Sequence, residues 1–201
     1  MPTLKELRVR VKSLRSTNKI TSAMKLVASS KLKKSQDAQK KNFAYTEKFN
    51  EILAAIAGDL NGESDFFTAR KTKITRYYIV TSDKGLCGGF NNNLIKFSVK
   101  EIQKKKKLND VEIFTLGKKG FDFFSKHHSD SFKKNILDLA NKPVYGHVAP
   151  IINDCINDYL NKQVDEVFII FNTFISVLTQ KPTTHRPPAC LRAHRPGRRV
   201  R

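Results

Sequence analysis

Acidic residues are scarce in this sequence: 18 Asp and Glu stand against 38 Lys and Arg, a formal charge of +20 on 201 residues. A surplus of that size must meet an anionic partner or be tolerated as self-repulsion. The candidate partners are nucleic acid, a membrane surface or acidic protein. Cysteine is scarce too. Cys87, Cys155 and Cys190 are odd in number and far apart, which excludes a disulfide framework and the short paired spacings of a zinc site, and points to a reducing compartment. There is no long apolar run either. The longest, Val167 to Leu178, is too short to span a bilayer, and the N-terminus is charged from Lys5 onward with no apolar leader pattern.

The deficit of acid is uneven. Residues 1–60 carry 13 basic and 5 acidic groups, residues 61–180 carry 18 and 13, and residues 181–201 carry 7 basic and none acidic. Glycine and proline are missing altogether from residues 3–57, while Thr3 and Glu6 supply the S/T-x-x-E pattern that caps a helix start. Gly58 and Asn61-Gly62 are the expected stop. A helix of that length is about 80 Å long, well beyond the diameter of a small domain. Leu4, Leu7, Val11 and Leu14, then Ile20, Met24 and Val27, and later Tyr45, Phe49, Ile52, Ile56 and Leu60 recur at steps of three and four. Strict heptads from Leu4 place Asn18, Thr21 and Lys25 in the seam, so the stripe reads as an interrupted coiled coil. One helix cannot bury such a stripe alone.

From residue 74 the pattern changes. Ile74–Thr81, Val111–Leu116 and Glu166–Phe174 are rich in β-branched and aromatic residues and read as strands. Asn92–Lys106, the segment around Phe121–Lys126, and Val148–Lys162 read as crossover helices. That alternation predicts an α/β fold, a Rossmann-like domain with a mainly parallel sheet. After Pro182 the composition breaks into prolines and six arginines, which predicts a disordered basic tail with neither helix nor strand. The expected domains are a shaft helix at 1–60, a linker at 61–73, the α/β domain at 74–182 and the tail at 183–201.

Directly after the first strand, Ser82-Asp83-Lys84-Gly85-Leu86-Cys87-Gly88-Gly89-Phe90-Asn91 makes a glycine-rich turn where open α/β sheets place ligands. Its glycines follow neither G-x-G-x-x-G nor G-x-x-x-x-G-K-[ST], and Lys84 precedes them, so a phosphate cradle is not specified and no cofactor is called for. Catalytic pairings are poor. His127 and His128 diverge on a helix, His185 and His194 sit in the tail, and His147 has no placed partner or third group to make a base for Cys87. Asp165-Glu166 reads as solvated loop charge, and Lys104–Lys107 as a solvated helix end that suits the helix dipole. Nucleic-acid binding is the sharper reading of the positive charge, but residues 1–42 hold no Phe, Tyr or Trp for stacking. Binding to duplex phosphates survives that objection.

Two segments, Lys19 to Leu32 (KITSAMKLVASSKL) and Ser82 to Asn91, closely resemble the gamma subunit of F-type rotary ATP synthases. So does the order of parts, down to Phe171-Asn172-Thr173-Phe174 and Thr179-Gln180-Lys181-Pro182-Thr183. The resemblance implies a central-stalk subunit that is not an enzyme by itself, coupling proton-driven rotation to ATP synthesis in the alpha/beta head. It implies alpha, beta and epsilon subunits and the membrane rotor ring as partners, no nucleic acid, and a peripheral place on the cytoplasmic face of an energy-transducing membrane, or its organelle equivalent, through the complex. It further implies that Met24, Lys25, Lys31, Lys33, Lys84, Gly85, Leu86, Cys87 and Gly88 lie against acidic beta-subunit surface. Leu4, Leu7, Val11, Leu14, Ile20 and Val27 would pack against a C-terminal shaft helix. That family continues past Thr183 into that second helix, whereas this sequence turns Pro- and Arg-rich, so a truncated or frame-shifted product is the expectation. The alternative functions are a basic nucleic-acid-binding protein and, third, a small α/β enzyme.

Overall fold

The computed structural model describes residues 3–59, 71–136 and 145–187. The expected stop at Asn61-Gly62, the linker positions 61–70, His194, Cys190 and the tail beyond Pro187 lie outside the described residues. By its contacts the chain divides into two units, Met1–Gly58 and Asp59–Arg201.

The first unit is one helix, α1 (Leu4–Asp59), 56 residues long. Its start is closed by the reciprocal pair expected from the sequence: Glu6 N donates to Thr3 Oγ1 at 3.4 Å and Thr3 N to Glu6 Oε2 at 2.8 Å. Gly58 lies inside the helix, whose last described residue is Asp59. The apolar stripe is exposed along the helix, from Leu4 (68 %) and Leu14 (63 %) to Ile20 (60 %) and Val27 (58 %).

The second unit holds β1 (Ile74–Val80), α2 (Phe90–Lys106), β2 (Asp110–Leu116), α3 (Lys118–His127), β3 (Phe132–Ile136), α4 (Tyr145–Leu160), β4 (Glu166–Phe174) and β5 (Gln180–His185). The sheet order is β3-β2-β1-β4-β5, parallel throughout except for antiparallel β5. Each central strand alternates its side chains between two cores. Tyr77, Ile79, Val111, Ile113 and Ile170 meet Leu94, Ile95 and Ile102 of α2 and Phe124 of α3 on one face. Tyr78 and Val167 meet Tyr159 of α4 on the other, with Val164 from the turn that follows α4. The result is a three-layer, doubly wound, mainly parallel sheet, in which the winding reverses between β1 and β4.

Two strands escaped the sequence reading. β3 (FKKNI) carries Lys133 and Lys134, which an edge strand can turn to water. β5 runs through Pro182, contrary to the expectation of no strand there, because an antiparallel edge tolerates a residue without an N–H donor. The next residue outward, Arg186, is also tied in, with a guanidinium nitrogen 3.5 Å from Glu166.

The acid pair Asp165-Glu166 is not solvated loop charge. Asp165 Oδ2 accepts from the backbone of Lys73 and Ile74 at 2.8 and 3.0 Å, pinning the start of β1. Glu166 is 4 % exposed and binds Lys105 at 2.6 Å, so one member of the lysine run turns inward. On the α4 face, Arg76 reaches Glu112 at 2.8 Å and Asp158 at 2.5 Å and lies over the Phe114 ring. Burial opposes its charge, but the hydrogen bonds to the two carboxylates outweigh that and raise its pKa further.

Candidate contact surface at the carboxyl edge of the sheet

The loop after β1 leaves the sheet where the winding reverses, beside the end of β4. Thr81 prolongs the β1–β2 ladder by donating to Leu116 O at 2.7 Å. The chain then turns around Asn91, the second residue of α2, whose buried side chain folds back on the loop. Its Oδ1 accepts from Ser82 N at 3.1 Å, and its Nδ2 donates to Ser82 Oγ at 2.8 Å and lies 3.1 Å from Cys87 Sγ. Asn172 of β4 donates to Phe90 O at 3.1 Å, tying the same turn to the neighbouring strand. Between these anchors Lys84, Gly85, Leu86, Cys87 and Gly88 stand exposed. Leu86, at φ 61°, is 97 % exposed, and Gly88 takes φ 56° without Cβ strain.

At the neighbouring start of α3 the free backbone donors are taken up from within the chain. Lys118 N donates to Asp83 Oδ1 at 3.0 Å, Lys119 N to Ser82 O at 3.2 Å and Gly120 N to Thr81 Oγ1 at 2.8 Å. The protein's own carboxylate therefore occupies the position an anion would take at that helix end. The approach is made possible by Gly117 at φ 107°, where a Cβ would lie 2.2 Å from the Thr81 carbonyl oxygen. The loop, α2 and α3 enclose an open groove of about 520 Å³ with Lys119, Lys126 and His127 on its wall against the single acid Asp122. It is a positive, shallow contact surface.

Elsewhere in the domain, the titratable groups whose environment shifts them lie apart from this loop. Burial pushes the Cys155 thiol up, away from the reactive thiolate, beside Tyr78, whose hydroxyl is itself raised by burial. His127 stacks on Phe123 with ring centroids 4.5 Å apart, and the His128 pKa is lowered by burial and by Lys106 and His127. Among the described residues no three His, Cys, Asp or Glu side chains are grouped to hold a metal.

Of the residues singled out from sequence, Lys84 to Gly88 share this one loop, and Met24, Lys25, Lys31 and Lys33 are exposed on α1. Asp83, Asn91, Gly117 and Asn172, which build the loop, were not singled out. Asp83 and Asn91 stood inside the quoted motif, but nothing local told that their side chains face inward. Gly117 and Asn172 come from distant segments.

The chain is thus a long helix followed in sequence by a doubly wound, mainly parallel sheet that carries an exposed glycine-rich loop. The sequence model of the ATP synthase family matches residues 3–191, and the chain belongs to that family. It is similar to the ATP synthase gamma chain of Trichlorobacter lovleyi, with 36% identity over 185 residues that cover 91% of this chain and 64% of that one. The gamma chain of Staphylococcus carnosus is 34% identical over 187 residues, covering 92% and 65%. The chain thus spans just under two thirds of the length of these curated relatives. A chain in the structure of the central stalk and c-ring of the Tetrahymena thermophila mitochondrial ATP synthase matches 84% of this chain and 71% of its own length. Its TM-score of 0.64 at 21% identity shows the shared fold.

Proposed function

We propose that this chain acts as the gamma subunit of an F-type ATP synthase, a non-catalytic central stalk that couples proton-driven rotation to ATP synthesis in the alpha/beta head. The observation that carries the reading is α1: in a member of this family, 56 residues of helix present an apolar stripe that nothing among the described residues covers. A shaft helix paired with a second helix is what such a stripe demands. Leu4, Leu7, Val11, Leu14, Ile20 and Val27 form its packing seam. No helix among the described residues is long and apolar enough to cross a membrane, so the chain would meet the membrane through the rotor ring and the epsilon subunit.

The basic groups Lys25, Lys31 and Lys33 on α1, with Met24, and the loop Lys84 to Gly88 face acidic surface of the beta subunits in this reading, since charge complementarity orients and speeds association. The test is an otherwise complete ATP synthase carrying Lys25→Glu and Lys84→Glu together. Proton-driven synthesis should fall severalfold while the complex still assembles. Normal coupling in the double variant would remove these residues from the contact, and failure of the chain to assemble with alpha and beta subunits at all would remove the stalk reading itself.

A further inference from the structure

The apolar stripe of α1 is laid out as a mirror image of itself. Leu7 and Leu14 toward one end, and Phe49 and Ile56 toward the other, fall at the same position of a seven-residue repeat. The residue between each pair is placed in opposite senses: Val11 stands three before Leu14, whereas Ile52 stands three after Phe49. Turning one copy of the helix end for end therefore sets Leu14 against Phe49, Val11 against Ile52 and Leu7 against Ile56 in a single register. Between the two clusters the repeat position is held by Thr21, Ala28, Ser35 and Asn42, short enough for two helices to approach along the whole seam. Val11, Leu14, Phe49 and Ile52 are each about half exposed or more.

Charge selects the same direction. Residues 3–34 carry ten basic groups and one acidic, a net +9, whereas residues 35–59 carry three basic and four acidic, a net −1. A parallel pair lays the two +9 halves side by side, and like charges at an interface oppose association. An antiparallel pair lays each of them against the half with a slight excess of acid. Flanking charges of this kind set the orientation of coiled coils.

We propose that α1 is a self-recognition surface: two copies of this chain pair as an antiparallel two-helix coiled coil, with Leu14 of one copy packed on Phe49 of the other. The seam takes one helix at a time. The dimer is therefore a form of the chain outside an assembled synthase, and a shaft helix that fills the same seam dissolves it. Pairing depends on concentration, so the dilute chain shows the seam bare and the concentrated chain shows it covered.

The experiment is sedimentation equilibrium of the full chain from low to high micromolar concentration at moderate salt. The mean mass should climb from that of one chain toward that of two and no further. Leu7→Asp/Leu14→Asp puts two carboxylates from each copy into the seam and should weaken the dimer about tenfold or more. Val9→Asp is the control. Val9 is 64 % exposed but lies about 200° round the helix from Leu7, so its substitution should change the dimer less than about twofold. The denaturation midpoint of the α/β domain checks that both variants fold. Direction is read with single cysteines and a short bis-maleimide linker, the linked peptides being identified by mass spectrometry. A mixture of Leu14→Cys and Phe49→Cys chains should link position 14 of one copy to position 49 of the other. Leu14→Cys chains alone should not link through that position, because the two sites lie about 50 Å apart in the antiparallel pair. Added salt should tighten the dimer of two +20 chains, the reverse of its effect on a complex with nucleic acid.

A mass that stays at one chain at the highest concentration overturns the proposal. Protection of Lys12–Lys34 from amide exchange in that monomer would show the seam filled by the chain itself, and no protection would leave it to another protein. A Val9→Asp chain that loses as much as the double variant, a link between two Leu14→Cys chains, or pairing that weakens with salt overturns it equally. None of these assays involves the alpha/beta head, so a negative result removes the dimer and leaves the double-reversal test of the stalk reading standing.

Discussion

The two units handle apolar residues in opposite ways. In the α/β domain, Ile79, Leu94, Ile102, Ile113, Phe124 and Ile170 are fully buried, each contributing on the order of 1.5–3 kcal/mol relative to exposure. In α1, Leu4, Leu7, Val11, Leu14, Ile20, Met24 and Val27 remain about half exposed or more. The difference follows from backbone hydrogen bonding. A helix satisfies its own N–H and C=O groups and can be drawn without a partner, but isolated helices in water are marginal and take their stability from packing one face. A strand cannot be satisfied alone, so the sheet comes already assembled with its cores. The domain is thermodynamically self-sufficient, and the helix states a requirement.

Amide hydrogen exchange on the dilute chain gives the largest contrast. Protection over Tyr77–Ile79 and Ile113–Thr115 should reach the global stability of the domain, about a thousandfold or more above that at Lys12–Lys34. Strong protection at Lys12–Lys34 without any added partner would show that the stripe is buried some other way and would break the comparison.

Matched truncations sharpen it. Ile79→Ala, at a site with no exposure, should lower domain stability by about 2–5 kcal/mol through lost transfer energy and a residual cavity. Leu14→Ala removes as many carbon atoms from a side chain that is 63 % exposed, and should change chemical denaturation of the chain by less than about 0.5 kcal/mol. If Leu14→Ala costs as much as Ile79→Ala, the helix has a packed face in solution.

The same contrast explains what was legible in the sequence. α1 was readable almost to the residue because its signals are local: the Thr3–Glu6 box, the absence of Gly and Pro, and a repeating stripe. The central strands were readable because both of their faces are covered, which makes them rich in β-branched and aromatic residues. The edges were not. FKKNI and QKPTTH look like loops until a neighbouring strand supplies the hydrogen bonds. Glu166 and Asp165 looked like surface charge because their partners, Lys105, Arg186 and the backbone of residues 73–74, are distant in sequence. For the candidate surface, the motif located the loop, but the scaffold beneath it was visible only once β2, α3 and β4 were in place.

The smallest predicted effect compares the two helix caps. Asp83 caps α3 from outside it: Oδ1 accepts from Lys118 N at 3.0 Å, while Oδ2 is buried with no hydrogen-bond partner among the described residues. Thr3 caps α1 from the position immediately before it, at 3.4 Å and exposed. Removing an oxygen cap costs a helix typically about 1 kcal/mol. Asp83→Ala should therefore lower the domain's denaturation free energy by about that much, because α3 is packed through Phe124 and cannot fray without disturbing the core. The buried, unpartnered Oδ2 reduces the loss, since its desolvation is relieved in the same substitution. Thr3→Ala should leave the domain's midpoint unchanged and show only as faster exchange at residues 5–7, because a fraying end is not coupled to any core. Were Thr3→Ala to shift the domain's midpoint by as much as Asp83→Ala, the two units would unfold as one, and the division at Gly58 would not describe the energetics of the chain.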